Sequence, residues 1–216
     1  MRVGGRPRSM RATTISWILE QLSPSRCIAC DEAVRRDTAF CGLCVATVER
    51  STHPHSPFLY GGAIARALTR LKYEVRRDLG PVLGQLLVLG LGEALDEPFD
   101  LVAPVPLHRD KLSERGYNQC VWLSRTVAEA SNAEHSALLL RRTRNTEAQA
   151  QLGLREREFN VNGAFAVRAR GGVEGRSVMI VDDVRTTGAT LRACEAALYD
   201  GGATRVRMLS LCMTPR

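Results

Sequence analysis

The sequence holds almost no lysine: of its 30 basic residues, all but Lys72 and Lys111 are arginine. No apolar run approaches the ~20 residues of a membrane-spanning helix, which excludes an evident span. Gly-Lys-Ser/Thr occurs nowhere, so a Walker-type nucleotide loop is excluded too. The opening "MRVGGRPRSMRATT" is basic, but no apolar core with a small-residue cleavage site follows it. It reads as the loose N-terminus of a soluble, cytoplasmic protein. Cysteine is present in an odd number, seven, and a cytosolic chain keeps its thiols reduced, so a disulfide framework is not expected.

What is present is ordinary for a globular chain. At 216 residues, 44% hydrophobic and 25% charged, it is long enough for one main domain and a small appendage. The formal net charge is +7. Arginine suits phosphate because its planar fork donates in pairs. Codon bias and a solvated surface explain the overall excess equally well, so the positions of particular arginines carry the information.

Four cysteines are patterned. "CIACDEAVRRDTAFCGLC" sets Cys27 and Cys30 ten residues ahead of Cys41 and Cys44. Each Cys-x-x-Cys forms a tight turn that aims two sulfurs at one ion, and two such turns close a tetrahedron around Zn²⁺. A redox or disulfide pair is the competing reading. With all four positions cysteine, the site has no open coordination position, which makes it structural. His53 and His55 fall in a proline-rich linker and are excluded as ligands. Cys120, Cys194 and Cys212 lie in apolar surroundings and read as buried small hydrophobes.

Beyond the linker, residues 61–95 have helical spacing and read as two helices. A short strand is predicted at Leu101–Val105, followed by a polar, basic loop, and helical spacing resumes in "VWLSRTVAEA". A strand-like patch, "HSALLLRR", leads into a long polar stretch from Arg144 to Asn162. A third strand at Ser177–Val181, a helix ended by Gly201 and Gly202, and a last strand in "TRVRMLSLCM" complete the alternation. Alternating strands and helices predict an α/β fold with a doubly wound, mostly parallel sheet, whose ligands sit at the carboxyl ends of the strands.

One such end is "VMIVDDVRTTGAT", Val178 to Thr190. The helix beginning near Ala189 offers unpaired N–H groups and a positive dipole end to an anion. Thr186, Thr187 and Thr190 add hydroxyls, and Gly188 permits close backbone approach. Asp182 and Asp183 precede this loop; strand alternation predicts that they point to opposite faces. Two acids beside a phosphate site suit sugar hydroxyls or a ligand-borne Mg²⁺, so a phosphorylated ribose fits both halves. A capped turn before a helix is the plain structural alternative.

This segment resembles the signature of the type I phosphoribosyltransferases. With the cysteine pairs, "LKY" at Leu71–Tyr73, "PVP" at Pro104–Pro106, "RGYNQ" at Arg115–Gln119 and "RTRNTEAQAQLGLREREFNVNGAF" up to Phe165, the chain resembles the ComF family of competence-associated, phosphoribosyltransferase-like proteins. The likeness spans roughly residues 27 to 212. It implies a loose basic N-terminus over residues 1–22, a zinc module and linker over 23–56, and a phosphoribosyltransferase-like domain over 57–216. It also implies phosphoribosyl pyrophosphate as ligand, carried with Mg²⁺. Asp182 and Asp183 would bind the ribose hydroxyls, and the segment from Val184 and Arg185 through Thr186, Thr187, Gly188, Ala189 and Thr190 the 5′-phosphate. His108, Arg109 and Lys111 resemble the pyrophosphate loop, with Arg115 and Asn118 following in a family motif. Asp182, Asp183, Arg109 and Lys111 are thus the candidate catalytic residues. Arg142, Arg144, Gln149, Arg155 and Asn160 belong to a segment resembling a mobile hood, for which a polar loop without structure is the alternative.

Three functions stay open: transfer of the phosphoribosyl group to an unknown acceptor, binding of the donor without turnover, or a zinc-ribbon module for single-stranded DNA or competence proteins that keeps the fold as scaffold. No stretch suggests a base-reading pocket, and no N-terminal glutaminase is expected, because Cys27 is neither N-terminal nor unpatterned.

Overall fold

The computed structural model describes residues 25–144, 163–168 and 172–215. Its centre is a five-stranded sheet in the order β1-β7-β6-β2-β3, with every neighbouring pair parallel. The strands are β1 (Phe58–Leu59), β2 (Leu101–Pro104), β3 (Glu134–His135), β6 (Ser177–Arg185) and β7 (Arg205–Met213). A separate antiparallel pair joins β4 (Leu140–Arg142) to β5 (Phe165–Val167). Among the described residues the helices are α1 (Gly42–Val45), α2 (Gly62–Tyr73), α3 (Leu79–Leu91), α4 (Arg109–Arg115), α5 (Cys120–Ala130) and α6 (Ala189–Asp200). This is the doubly wound, mostly parallel α/β architecture the alternation predicts, with the cysteine module at its N-terminal end.

A parallel sheet is covered on both faces, so its central strands are apolar at successive positions. In β6, Met179 and Val181 join α2, α3 and α5 in one core, while Val178 and Ile180 join α6 and β4–β5 in the other. All four are fully buried. Helices α3 and α5 approach closely because Gly80 and Gly84 line their contact: a Cβ at Gly80 would lie 2.5 Å from Trp122 Cδ2. No helix of the described residues is long and apolar enough to cross a membrane.

The cysteine module packs into the first core through Cys27, Ile28, Phe40 and Cys44. Two polar contacts tie it to α2. Thr47 Oγ1 accepts from Ala63 N at 3.0 Å, which satisfies an orphan donor of the helix start. Buried Arg70 donates to the Ile28 carbonyl at 3.2 Å and pairs with Asp31, which Arg76 also meets at 2.8 Å.

Four local expectations are corrected. The segment after β2, expected as a loop, forms α4: His108 Nδ1 accepts from Asp110 N at 3.3 Å as an N-cap, and Gly116 ends the helix with φ 76°. The patch at 135–142, expected as one strand, breaks at a turn from Ser136 to Leu139, giving β3 to the main sheet and β4 to the hairpin. The proline-rich linker ends in a short edge strand, β1, beside β7. Finally, β6 runs past Val181 to Arg185, so Val184 and Arg185, expected in the loop, sit on the strand with the two aspartates.

Candidate functional site at the tip of β6

The ladder between β6 and β2 ends at the pair Pro104–Val181. Past it β2 no longer pairs with the strand, and the two carboxylates there meet α2 and the start of α5. Asp182 Oδ1 bends back to accept from Asp183 N at 2.9 Å and from Cys120 Sγ at 3.5 Å. Asp183 Oδ2 accepts from Gln119 Nε2 at 2.6 Å and pairs with Lys72 Nζ at 2.7 Å. Strand alternation predicts divergence, yet an oxygen of each acid and Cys120 Sγ lie within 4.8 Å of one another. The amide of Asp183 is the reason, because it donates to the Asp182 carboxylate and holds it along the strand. Cys120 therefore faces two acids as well as the apolar core, a correction to the purely apolar surroundings expected for it.

Crowding separates the two acids electrostatically. Burial, with the neighbouring Asp183 charge, pushes Asp182 up to about 7. Burial works in the same direction on Asp183, but the Lys72 charge and the hydrogen bonds from Lys72 and Gln119 outweigh it and hold this carboxyl below its ordinary range. Burial and both carboxylates push the Cys120 thiol up, so it stays protonated and donates to Asp182.

Beyond Asp182 the chain makes a small depression. Asp182, Val184, Arg185, Thr186, Gly188, Ala189, Thr190 and Leu191 line it. Gly188 has φ 77°, a conformation that favours glycine, and α6 starts at the next residue. Thr187 does not line the depression; its Oγ1 accepts from Ala189 N at 3.3 Å. Two guanidinium groups flank the turn: Arg192 Nη1 donates to Thr187 O at 2.9 Å, and Arg185 Nη1 meets His53 Nε2 at 3.2 Å.

The other candidates fall into three places. Arg115 and Asn118 stand beside the acids: Arg115 donates to Gln119 Oε1, and Asn118 bridges the Val105 carbonyl (2.9 Å) and Cys120 N (3.0 Å). His108, Arg109 and Lys111 lie on α4 and its cap, where Arg109 and Lys111 are exposed and Arg109 borders a cavity. Arg144 follows β4 and is exposed; Gln149, Arg155 and Asn160 lie outside the described residues. Sequence reasoning missed Lys72 and Gln119 as partners of Asp183. The one available signal was that Lys72 is a rare lysine inside a quoted motif.

At the other end, the Cys27, Cys30, Cys41 and Cys44 sulfurs lie within 4.8 Å of one another. Cys30 and Cys41 are 3.7 Å apart, close to the edge of about 3.8 Å for a tetrahedron with Zn–S of ~2.3 Å. Burial opposes ionising Cys27, but N–H groups of Cys41, Ala29 and Cys30 overcome it and bring the thiol to about 7. The four cysteines can hold a zinc ion.

No family model matches the chain. It is 28% identical over 150 residues to competence protein F of Haemophilus influenzae, covering 67% of this chain and 65% of that protein. Over 210 residues it is 30% identical to DNA utilization protein YhgH of Escherichia coli (strain K12), covering 87% of this chain and 90% of that protein. The chain belongs to the ComF family. Among solved structures, this ComF-family chain is similar to the glutamine phosphoribosylpyrophosphate amidotransferase from B. subtilis complexed with ADP and GMP, at 22% identity and a TM-score of 0.43, covering 66% of this chain and 30% of that one.

Proposed function

We propose that the chain binds phosphoribosyl pyrophosphate with Mg²⁺ at the β6 tip and transfers its phosphoribosyl group to a nitrogen acceptor. One observation carries the reading: a half-buried carboxylate, a turn with a left-handed glycine, and a helix start line one depression. Asp182 would accept from the ribose hydroxyls. The N–H groups at the start of α6, the Thr186 and Thr190 hydroxyls and the guanidinium groups of Arg185 and Arg192 would meet the 5′-phosphate. Asp183, held by Lys72 and Gln119, fixes the strand end on which Asp182 stands.

In this reaction the bond from the anomeric carbon to a pyrophosphate oxygen breaks, and the electron pair leaves with pyrophosphate. The acceptor nitrogen gives its lone pair to the new bond, and its proton passes to water. Negative charge grows on the leaving group, so donors already in place there stabilise the transition state. Arg109 and Lys111 on α4 are the residues we assign to it. Mg²⁺ fits as an ion carried by the ligand: it favours oxygen ligands and keeps its waters, and the protonated Cys120 thiol makes the three-residue cluster a poor resident site. Bound there, it supplies charge neutralisation of the phosphates. We place the protein in the cytoplasm on the same reading.

Calorimetric titration with phosphoribosyl pyrophosphate and Mg²⁺ tests the binding, and Asp182→Asn should remove it. Absence of heat at millimolar ligand would sink the proposal. Pyrophosphate release across candidate bases separates transfer from binding without turnover. A second reading, single-stranded DNA binding linked to DNA uptake or to competence proteins, is favoured by the +7 charge and by Arg26, Arg35 and Arg36, exposed on the cysteine module. Affinity for an oligonucleotide that does not change with salt would count against it.

A further inference from the structure

A cavity of about 900 Å³ opens beside the acid tip, between α4, the start of α5 and the β4–β5 hairpin. Four arginines border it: Arg109 on α4, Arg141 and Arg142 on β4, and Arg168 just past β5. Among the described residues, no aspartate or glutamate lines it. Its remaining walls are largely apolar, with Leu112, Val121 and Leu140 among them, and Leu138 at its edge is 65% exposed. The size falls within the ~300–1,000 Å³ of small-molecule sites. A pocket with apolar walls and guanidinium groups, which stack on flat rings and pair with carboxylates, matches a planar molecule that carries its own negative charge.

The cavity also meets the candidate site. Asn118 forms part of its lining and accepts from the amide of Cys120, whose thiol donates to Asp182.

We propose that this cavity is the acceptor site and that the acceptor is a planar heterocycle or arene bearing a carboxylate, gripped by Arg141 and Arg168 on the hairpin. The proposal rests on the transfer reading and narrows its substrate class. Arg109 is assigned to the pyrophosphate, so the hairpin arginines are the ones left to select a second anion. A neutral base would make no use of these two guanidinium groups, whereas a carboxylate can accept paired hydrogen bonds from them. A strand of single-stranded DNA is the competing occupant. The size of the cavity and its largely apolar walls favour a small molecule over a polymer that needs a continuous basic track.

The test uses the full chain and the acids alone, without the donor, so that it reads the cavity independently of phosphoribosyl pyrophosphate. Pyridine-2,3-dicarboxylate, 2-aminobenzoate and 6-carboxyuracil are titrated against uracil and adenine. Arg141→Gln and Arg168→Gln are then combined; both residues are exposed, so the fold should hold, and donor binding should change less than about twofold. At least one acidic probe should bind ten times more tightly than both neutral bases and lose tenfold in the double variant. Equal binding of the neutral bases, or acid binding that survives the double substitution, overturns the proposal. So does a double variant that loses affinity for an oligodeoxynucleotide while no acidic probe binds the parent chain. Donor binding, titrated separately, reports whether the transfer reading itself stands.

Discussion

Lys72 Nζ lies 2.7 Å from Asp183 Oδ2, and only 19% and 7% of the two side chains are exposed. One of just two lysines in the chain thus neutralises one of the two acids of the candidate site. Removing either partner alone strands a charge in the interior, which typically costs ~3–5 kcal/mol. Lys72→Met should lower stability by about that amount in chemical denaturation, and Lys72→Met with Asp183→Asn should recover most of it. A double variant no more stable than Lys72→Met would show that the pair is not coupled.

The two acids should respond to pH in opposite ways. Asp183 is held below the ordinary carboxylate range, so its contribution is present above about pH 4 and is lost as the pH falls through its lowered value in the folded protein. Asp182 is raised to about 7, so between about pH 4 and 7 the folded chain keeps a proton that the unfolded chain has released. Its share of stability therefore declines as the pH rises across that window. Asp182→Asn should be more stable than the parent at pH 8, by roughly 1–2 kcal/mol because the half-buried group is partly screened, and the difference should vanish near pH 4. Melting curves at the two pH values check this.

Cys27 and Cys44, two of the four residues that could hold zinc, also belong to the main core, so losing a bound ion should be felt beyond the module. Cys27→Ser should abolish stoichiometric zinc in metal analysis. If the lost support is about 3 kcal/mol, the melting temperature should fall by about 6–12 °C, at ~2–4 °C per kcal/mol for a chain of this size. An unchanged melting temperature with zinc absent would mean that Arg70 and Thr47 hold the module unaided.

The contact of α3 with α5 leaves no room at Gly80, where even a methyl group would overlap the Trp122 ring. Gly80→Val should cost about 1–3 kcal/mol through overpacking, although valine is a better helix former than glycine. Denaturation against Gly61→Ala, where a Cβ meets nothing within 4 Å, gives the control.

Much of the architecture was readable because it rests on short-range rules. Val178 to Val181 are continuously apolar, as a strand covered on both faces must be, and the cysteine spacing alone implies a four-sulfur site. The misread or unassigned pieces depended on partners distant in sequence. Phe58–Leu59 is a strand because β7 lies beside it, and Phe165–Val167 because β4 does. Helix α4 was hidden by its polar composition: none of its residues is buried, so no apolar period marks it.

The sequence by itself determined the alternation of the main strands and helices, the sulfur cluster, and the run of acids, hydroxyls and glycine at the end of β6, because periodicity, spacing and turn chemistry are local. Only the tertiary structure decided how the two acids differ. Lys72 reaches Asp183 across 111 residues of chain and Gln119 across 64, while Cys120 meets Asp182 where the β2 ladder stops. Charge interactions in a buried site depend on distance and burial, and the fold sets both by bringing together elements that the chain keeps far apart.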